Sequence, residues 1–107
     1  MRRGNLITVS LPGNYGKPRP ALIIQSDLFD VHPSITILPI TSELHDAPLF
    51  RILVEPDSEN CLHHTSQIMV DKTHTIHRDK AGEIFGKLSD ELMLKVNRSL
   101  AMFLGFG

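Results

Sequence analysis

The chain has 107 residues, 41% of them hydrophobic and 21% charged, with a formal net charge of −1. This is enough for one domain (residues 1–107) with its own core and no need of disulfides or metal. The near-neutral charge removes any global argument for wrapping a nucleic-acid duplex. A single cysteine, Cys61, excludes an intrachain disulfide and fits a reducing cytoplasm. Met1-Arg2-Arg3 is followed by Gly4-Asn5 instead of a long apolar run, so neither a signal peptide nor a membrane span is expected.

Taken in chain order, the elements are strands first and a helix last. Leu6 to Leu11 has strand composition and ends at Pro12-Gly13, where Asn14 and Gly16 prolong a turn-rich loop. Ala21 to Gln25 is nearly continuous in apolar residues, as a central strand requires. Asp27 to Asp30 predicts one helical turn. Ser34 to Ile40 alternates through its first half and is expected to stop around Pro39. Phe50 to Glu55, Ser66 to Val70, Thr73 to His77 and Glu83 to Leu88 complete the strand segments.

The helix is marked at both ends. Ser89 is an N-cap residue, Asp90 and Glu91 favour the positive first turn, and Gly105 suits the left-handed position after the last turn. Leu92, Val96, Leu100 and Phe103 recur at helical spacing and predict one buried face. The whole reads as α+β: a small, strongly curved antiparallel sheet or partial barrel with the helix packed on it.

Charge is unevenly spread. Residues 1–26 hold Arg2, Arg3, Lys17 and Arg19 and no acid, while acids cluster in Glu55-Pro56-Asp57-Ser58-Glu59. A basic edge of this kind can hold a short piece of polyanion or can be a solvated face. Its most specific part is Gly16-Lys17-Pro18-Arg19-Pro20-Ala21-Leu22-Ile23-Ile24. Pro18 and Pro20 fix their own φ and push Lys17 and Arg19 toward extended geometry. An arginine held on such a stiff arm suits bidentate recognition of a phosphate, or is simply a loop charge.

This segment, with Arg3-Gly4-Asn5-Leu6-Ile7 before it and Leu38-Pro39-Ile40-Thr41-Ser42 after it, resembles the MazF/PemK family of toxin endoribonucleases. Ser66 to Ile76 and Gly86-Lys87-Leu88-Ser89-Asp90-Glu91 extend the resemblance in order and spacing over nearly the whole chain. The resemblance implies an SH3-like partial β-barrel with a C-terminal helix, a homodimer, and inhibition by a cognate antitoxin that covers the RNA groove. It also implies metal-independent cleavage of single-stranded RNA or mRNA at short motifs. The ribose 2′-OH would attack the adjacent phosphate, leaving a 2′,3′-cyclic phosphate and a 5′-OH.

Roles follow from the same resemblance. Arg19 matches the family's catalytic arginine, and its permanently charged fork fits stabilisation of extra negative charge on phosphorus. Thr41 matches the active-site hydroxyl and can donate to a phosphate oxygen; the local alternative is that Thr41-Ser42 caps the next turn. Asp71 lies where one branch of the family carries a catalytic aspartate, although that branch has an arginine two residues earlier, where this chain has Met69. Asp71 is otherwise a turn residue. His63, His64, His74 and His77 offer alternative bases. RNA contacts are expected at Lys17, Asn14, Tyr15, Ser42 and His74, with Tyr15 able to stack on a base.

No cofactor is expected, and no metal. Cys61-x-His63 and His74-x₂-His77 do not match the spacings of structural zinc pairs. The antitoxin should be acidic and partly disordered, because it competes with RNA for a basic site. The rival reading is a gyrase-binding toxin of the CcdB type. That class depends on a C-terminal Trp-Gly-Ile end, and this chain has no tryptophan and ends Leu104-Gly105-Phe106-Gly107. A third reading is an inactive barrel that only binds a partner protein.

Overall fold

β-Branched and leucine-rich segments form the strands of the computed structural model, which describes residues 1–11 and 17–106. The strands are β1 (Asn5–Val9), β2 (Arg19–Ile23), β3 (Ser34–Thr41), β4 (Arg51–Val54), β5 (Ser66–Met69), β6 (His74–His77) and β7 (Ala81–Lys87). They are joined in one antiparallel seven-stranded sheet of order β4-β5-β3-β2-β1-β7, with β6 also on β3. A helix, α1 (Asp90–Leu104), follows. This is the α+β arrangement expected. The single helical turn expected at Asp27 is a 3-10 turn over Asp27–Phe29, and another 3-10 turn, Val70–Lys72, separates β5 from β6.

The central strands are buried on both faces, which explains their unbroken apolar runs. Leu6, Leu22, Leu38, Ile40, Ile52, Val54 and Ile68 face one core, which Val96 and Leu100 of α1 cover. Ile7, Val9, Ala21, Ile23, Ile35 and Ile37 face a second, rimmed by Leu11, Ile76 and Ala81. The Ser89 hydroxyl accepts from the Leu92 N–H at 3.2 Å, and Gly105 adopts φ 86 with its N–H on the last carbonyls of the helix. Both helix ends are therefore set by the residues expected to set them. Phe103 is not on the buried face: it is 49% exposed, and burial along the helix is confined to Val96 and Leu100.

Two further expectations are corrected, and both corrections shape the site. Pro39 does not end its strand; β3 continues to Thr41. The Ile24 N–H donates to the Thr36 carbonyl, so even-numbered residues of β3 point their backbone groups at β2 and odd-numbered ones point away. The missing N–H of Pro39 thus faces the other edge, where β6 pairs with residues 34–37 and β5 with residues 40–41. It falls in the gap between them, so no ladder bond is lost. The second correction is that β2 begins at Arg19, two residues before the expected start, because Val9 and Thr8 pair with Arg19 and Pro20.

Candidate active-site cleft

The same parity explains a fork in the sheet. On β2 it is Pro20 whose backbone nitrogen faces β3, and Pro20 has no proton to donate. The β2–β3 ladder accordingly stops at Ala21↔Pro39. Beyond that pair β2 stays with β1 through Arg19, while β3 continues with β5 through Ile40↔Ile68 and Thr41↔Gln67. Arg19 stands on one prong and Thr41 on the other. A cleft of about 1030 Å3 opens between them.

Arg19 is exposed, and among the described residues its guanidinium has no acidic partner. Thr41 Oγ1 accepts the Glu43 N–H at 3.0 Å, which is the local turn-capping contact foreseen for it. A hydroxyl that accepts one bond still has its proton to donate, so this contact leaves Thr41 able to bind a phosphate oxygen. The loop after Thr41 is held by Gln67, a buried side chain that copies a strand pairing. Its Oε1 accepts from the His45 N–H at 2.9 Å and its Nε2 donates to the His45 carbonyl at 2.7 Å.

The opposite wall comes from the loop between β4 and β5, organised by buried Asn60. Asn60 Oδ1 accepts from the backbone N–H groups of Asp57 and Leu62 at 3.0 and 2.9 Å, and its Nδ2 donates to the Glu55 carbonyl at 2.9 Å. Gly86 of β7 lies directly against this loop, and a Cβ there would run into the Asn60 carbonyl. The close approach requires glycine. So anchored, the loop presents Cys61, His63 and His64 to the cleft.

Of the residues expected in the site, Arg19, Thr41, Ser42 and His74 line the cleft. Lys17 is exposed two residues before Arg19 but is not part of the lining. Asn14 and Tyr15 lie outside the described residues. Asp71 is turned elsewhere: its Oδ1 is 3.1 Å from Arg51 Nε and its Oδ2 is 3.9 Å from Lys72 Nζ. Arg51 is the cross-strand partner of Met69, so the cation beside Asp71 comes from the neighbouring strand. Lys72, missed in the sequence, lines the cleft with Glu43 and Met69. Only its place in the 3-10 turn brings it there; no local pattern marks it.

Cationic Arg19 and Lys72, three histidines and the hydroxyls of Thr41 and Ser42 suit a polyanion better than a neutral ligand. Among the described residues, no three His, Cys, Asp or Glu side chains converge as a metal site would need. No helix among them is long and apolar enough to cross a membrane.

Comparison with known proteins agrees with this chemistry. A family model for PemK-like, MazF-like toxins of type II toxin–antitoxin systems matches residues 2–104. The chain is 43% identical over 106 residues to a probable endoribonuclease MazF of Mycolicibacterium smegmatis, covering 98% of this chain and 97% of that relative. It is 27% identical over 110 residues to the endoribonuclease MazF of Staphylococcus saprophyticus, covering 98% and 92%. Among solved structures, a mycobacterial endoribonuclease in complex with its cognate antitoxin shares the fold with a TM-score of 0.83 at 22% identity, over 100% of this chain and 97% of that one. A MazE–MazF structure from Deinococcus radiodurans gives 0.80 at 22% identity, over 100% and 98%. With its fold, its cleft and nearly its whole length accounted for, the chain belongs to the MazF/PemK family of type II toxin endoribonucleases.

Proposed function

We propose that this protein cuts single-stranded RNA at short sequence motifs without a metal, by attack of a ribose 2′-OH on the adjacent phosphate, and is toxic to its own cell. The products are a 2′,3′-cyclic phosphate and a 5′-OH. The observation that carries this reading is the fork, with Arg19 and Thr41 on its two prongs and an open cleft between. Arg19 holds two non-bridging phosphate oxygens and stabilises the charge that builds on them as the pentavalent state forms. Thr41 donates its hydroxyl proton to one of those oxygens. Lys17, Ser42, Lys72 and His74 grip the flanking nucleotides, with Asn14 and Tyr15 adding contacts from the β1–β2 loop.

The enzyme acts in the cytoplasm as a homodimer. Its inhibitor is an acidic, partly disordered antitoxin that neutralises the cleft by covering Arg19 and Lys72. A long single-stranded RNA incubated with the purified protein in EDTA tests the reading, with Arg19→Ala in parallel. Discrete cuts with cyclic-phosphate ends are expected, slowed ~10²–10³-fold in the variant. Intact RNA with the wild-type protein would overturn it and turn attention to a protein target such as gyrase.

A further inference from the structure

We propose that His64 is the general base that takes the proton from the attacking ribose 2′-hydroxyl. The inference rests on the ribonuclease reading and adds the proton acceptor that Arg19 and Thr41 do not supply. An arginine keeps its charge and cannot accept a proton, and a threonine hydroxyl is no base near neutrality. The acceptor must reach the 2′-oxygen of the nucleotide whose phosphate lies in the fork, so it must stand beside the fork and not merely somewhere in the cleft.

Placement along β3 separates the candidates. His74 pairs with Ile37, four residues down the strand from Thr41, which is about 13 Å at the rise of a strand. That distance suits a contact to a neighbouring nucleotide. Asp71 is committed to Arg51 and does not line the cleft. Cys61 directs its sulfur at the carbonyls of its own loop, 3.5 Å from Ser58 and 3.9 Å from Glu59. His64 is different. Gln67 pairs with Thr41, the next residue Ser66 lines the cleft, and Ser66 Oγ donates to the His64 carbonyl at 2.8 Å. This bond pins the His64 backbone to the end of β5 beside the Thr41 prong. His63 is one residue further out along the loop.

Charged and titratable neighbours come from every wall: Arg19 from β2, Glu43 from the loop after β3, Cys61 and His63 from the β4–β5 loop that carries His64, Lys72 from the 3-10 turn and His74 from β6. Glu43 is the nearest rival, since its N–H is bonded to Thr41. A carboxylate is a much weaker proton acceptor near neutral pH than an imidazole. In the step itself the imidazole of His64 takes the 2′-OH proton, the O2′–P bond forms and the P–O5′ bond breaks. The departing 5′-oxygen takes a proton from water at the open cleft, and the imidazolium then releases its own to solvent.

The test uses an oligonucleotide spanning a cut site mapped with the wild-type protein, and the same oligonucleotide with a 2′-deoxy residue at the cut. Single-turnover cleavage is followed against pH for wild type, His64→Asn, His63→Asn and Glu43→Gln. His64→Asn should slow cleavage ~10²–10⁴-fold and abolish the acid limb of the profile, while binding the deoxy oligonucleotide within about twofold of wild type. His64→Ala should regain activity with added imidazole. Retention of the acid limb in His64→Asn overturns the assignment, as does its loss in His63→Asn or Glu43→Gln instead. Weakened deoxy binding that accounts for the whole rate loss makes His64 a binding group and also overturns it. A wild-type protein that cuts no RNA overturns the ribonuclease reading itself, and the role of His64 with it.

Discussion

Arg51 lies with its side chain 10% exposed and its Nε 3.1 Å from Asp71 Oδ1, whereas Arg19 stands exposed at the fork without an acidic partner among the described residues. The two guanidiniums belong to the same sheet and serve opposite ends. At Arg51 the charge is consumed by the fold, joining β4 to the 3-10 turn that carries Lys72. At Arg19 the charge faces the open cleft, where the proposed function has a phosphate bind it. A largely buried pair contributes to stability chiefly because either partner alone is costly. An exposed, unpaired cation contributes little to stability and much to recognition of an anion.

This contrast orders the expected effects of substitution on stability. Arg51→Ala leaves the Asp71 carboxylate only the Lys72 ammonium, 3.9 Å away, and should lower unfolding free energy by about 1–3 kcal/mol. Removing the charge on both sides, in Arg51→Met with Asp71→Leu, should recover part of that loss. Chemical denaturation of the three proteins checks this; a double variant less stable than Arg51→Ala would break the idea that the pair is structural. Gln67→Ala removes both bonds to His45 and should cost about 1–2 kcal/mol, with a rise in KM for RNA because Ser42 and Glu43 lose their support. Arg19→Ala should shift stability by less than about 0.5 kcal/mol even though cleavage is expected to slow ~10²–10³-fold. A large drop in its Tm would mean that Arg19 has a structural partner.

Much of this was legible in local sequence. Ser89 and Gly105 mark the ends of α1 because capping depends on residues within one turn. The two-faced burial of β2 shows in its apolar run. Arg19 and Thr41 stand out through proline stiffening and family resemblance. What stayed hidden was long-range. Pairing of Arg51 with Asp71 joins residues far apart in sequence through the β4–β5 register, and nothing near either residue announces it. Pro39 misled because its effect depends on which edge its nitrogen faces, and that is fixed by neighbours from β2, β5 and β6. Phe103 misled because helical periodicity identifies a face but not how far along it the burial extends.

The order of the sheet has a consequence for synthesis. β1, the first strand made, has β7, the last, along its outer edge, and β7 also supplies Phe85 to the cleft and Gly86 to the Asn60 loop. Until residues 81–104 exist, that edge has no partner and the first core lacks its helical cover. Such non-local closure delays cooperative folding until β7 and α1 have been made. A ribosome-bound fragment stopped before β7 should therefore be readily digested by protease. The sheet and its cleft thus come together in one step, when β7 and α1 meet strands that were made long before them.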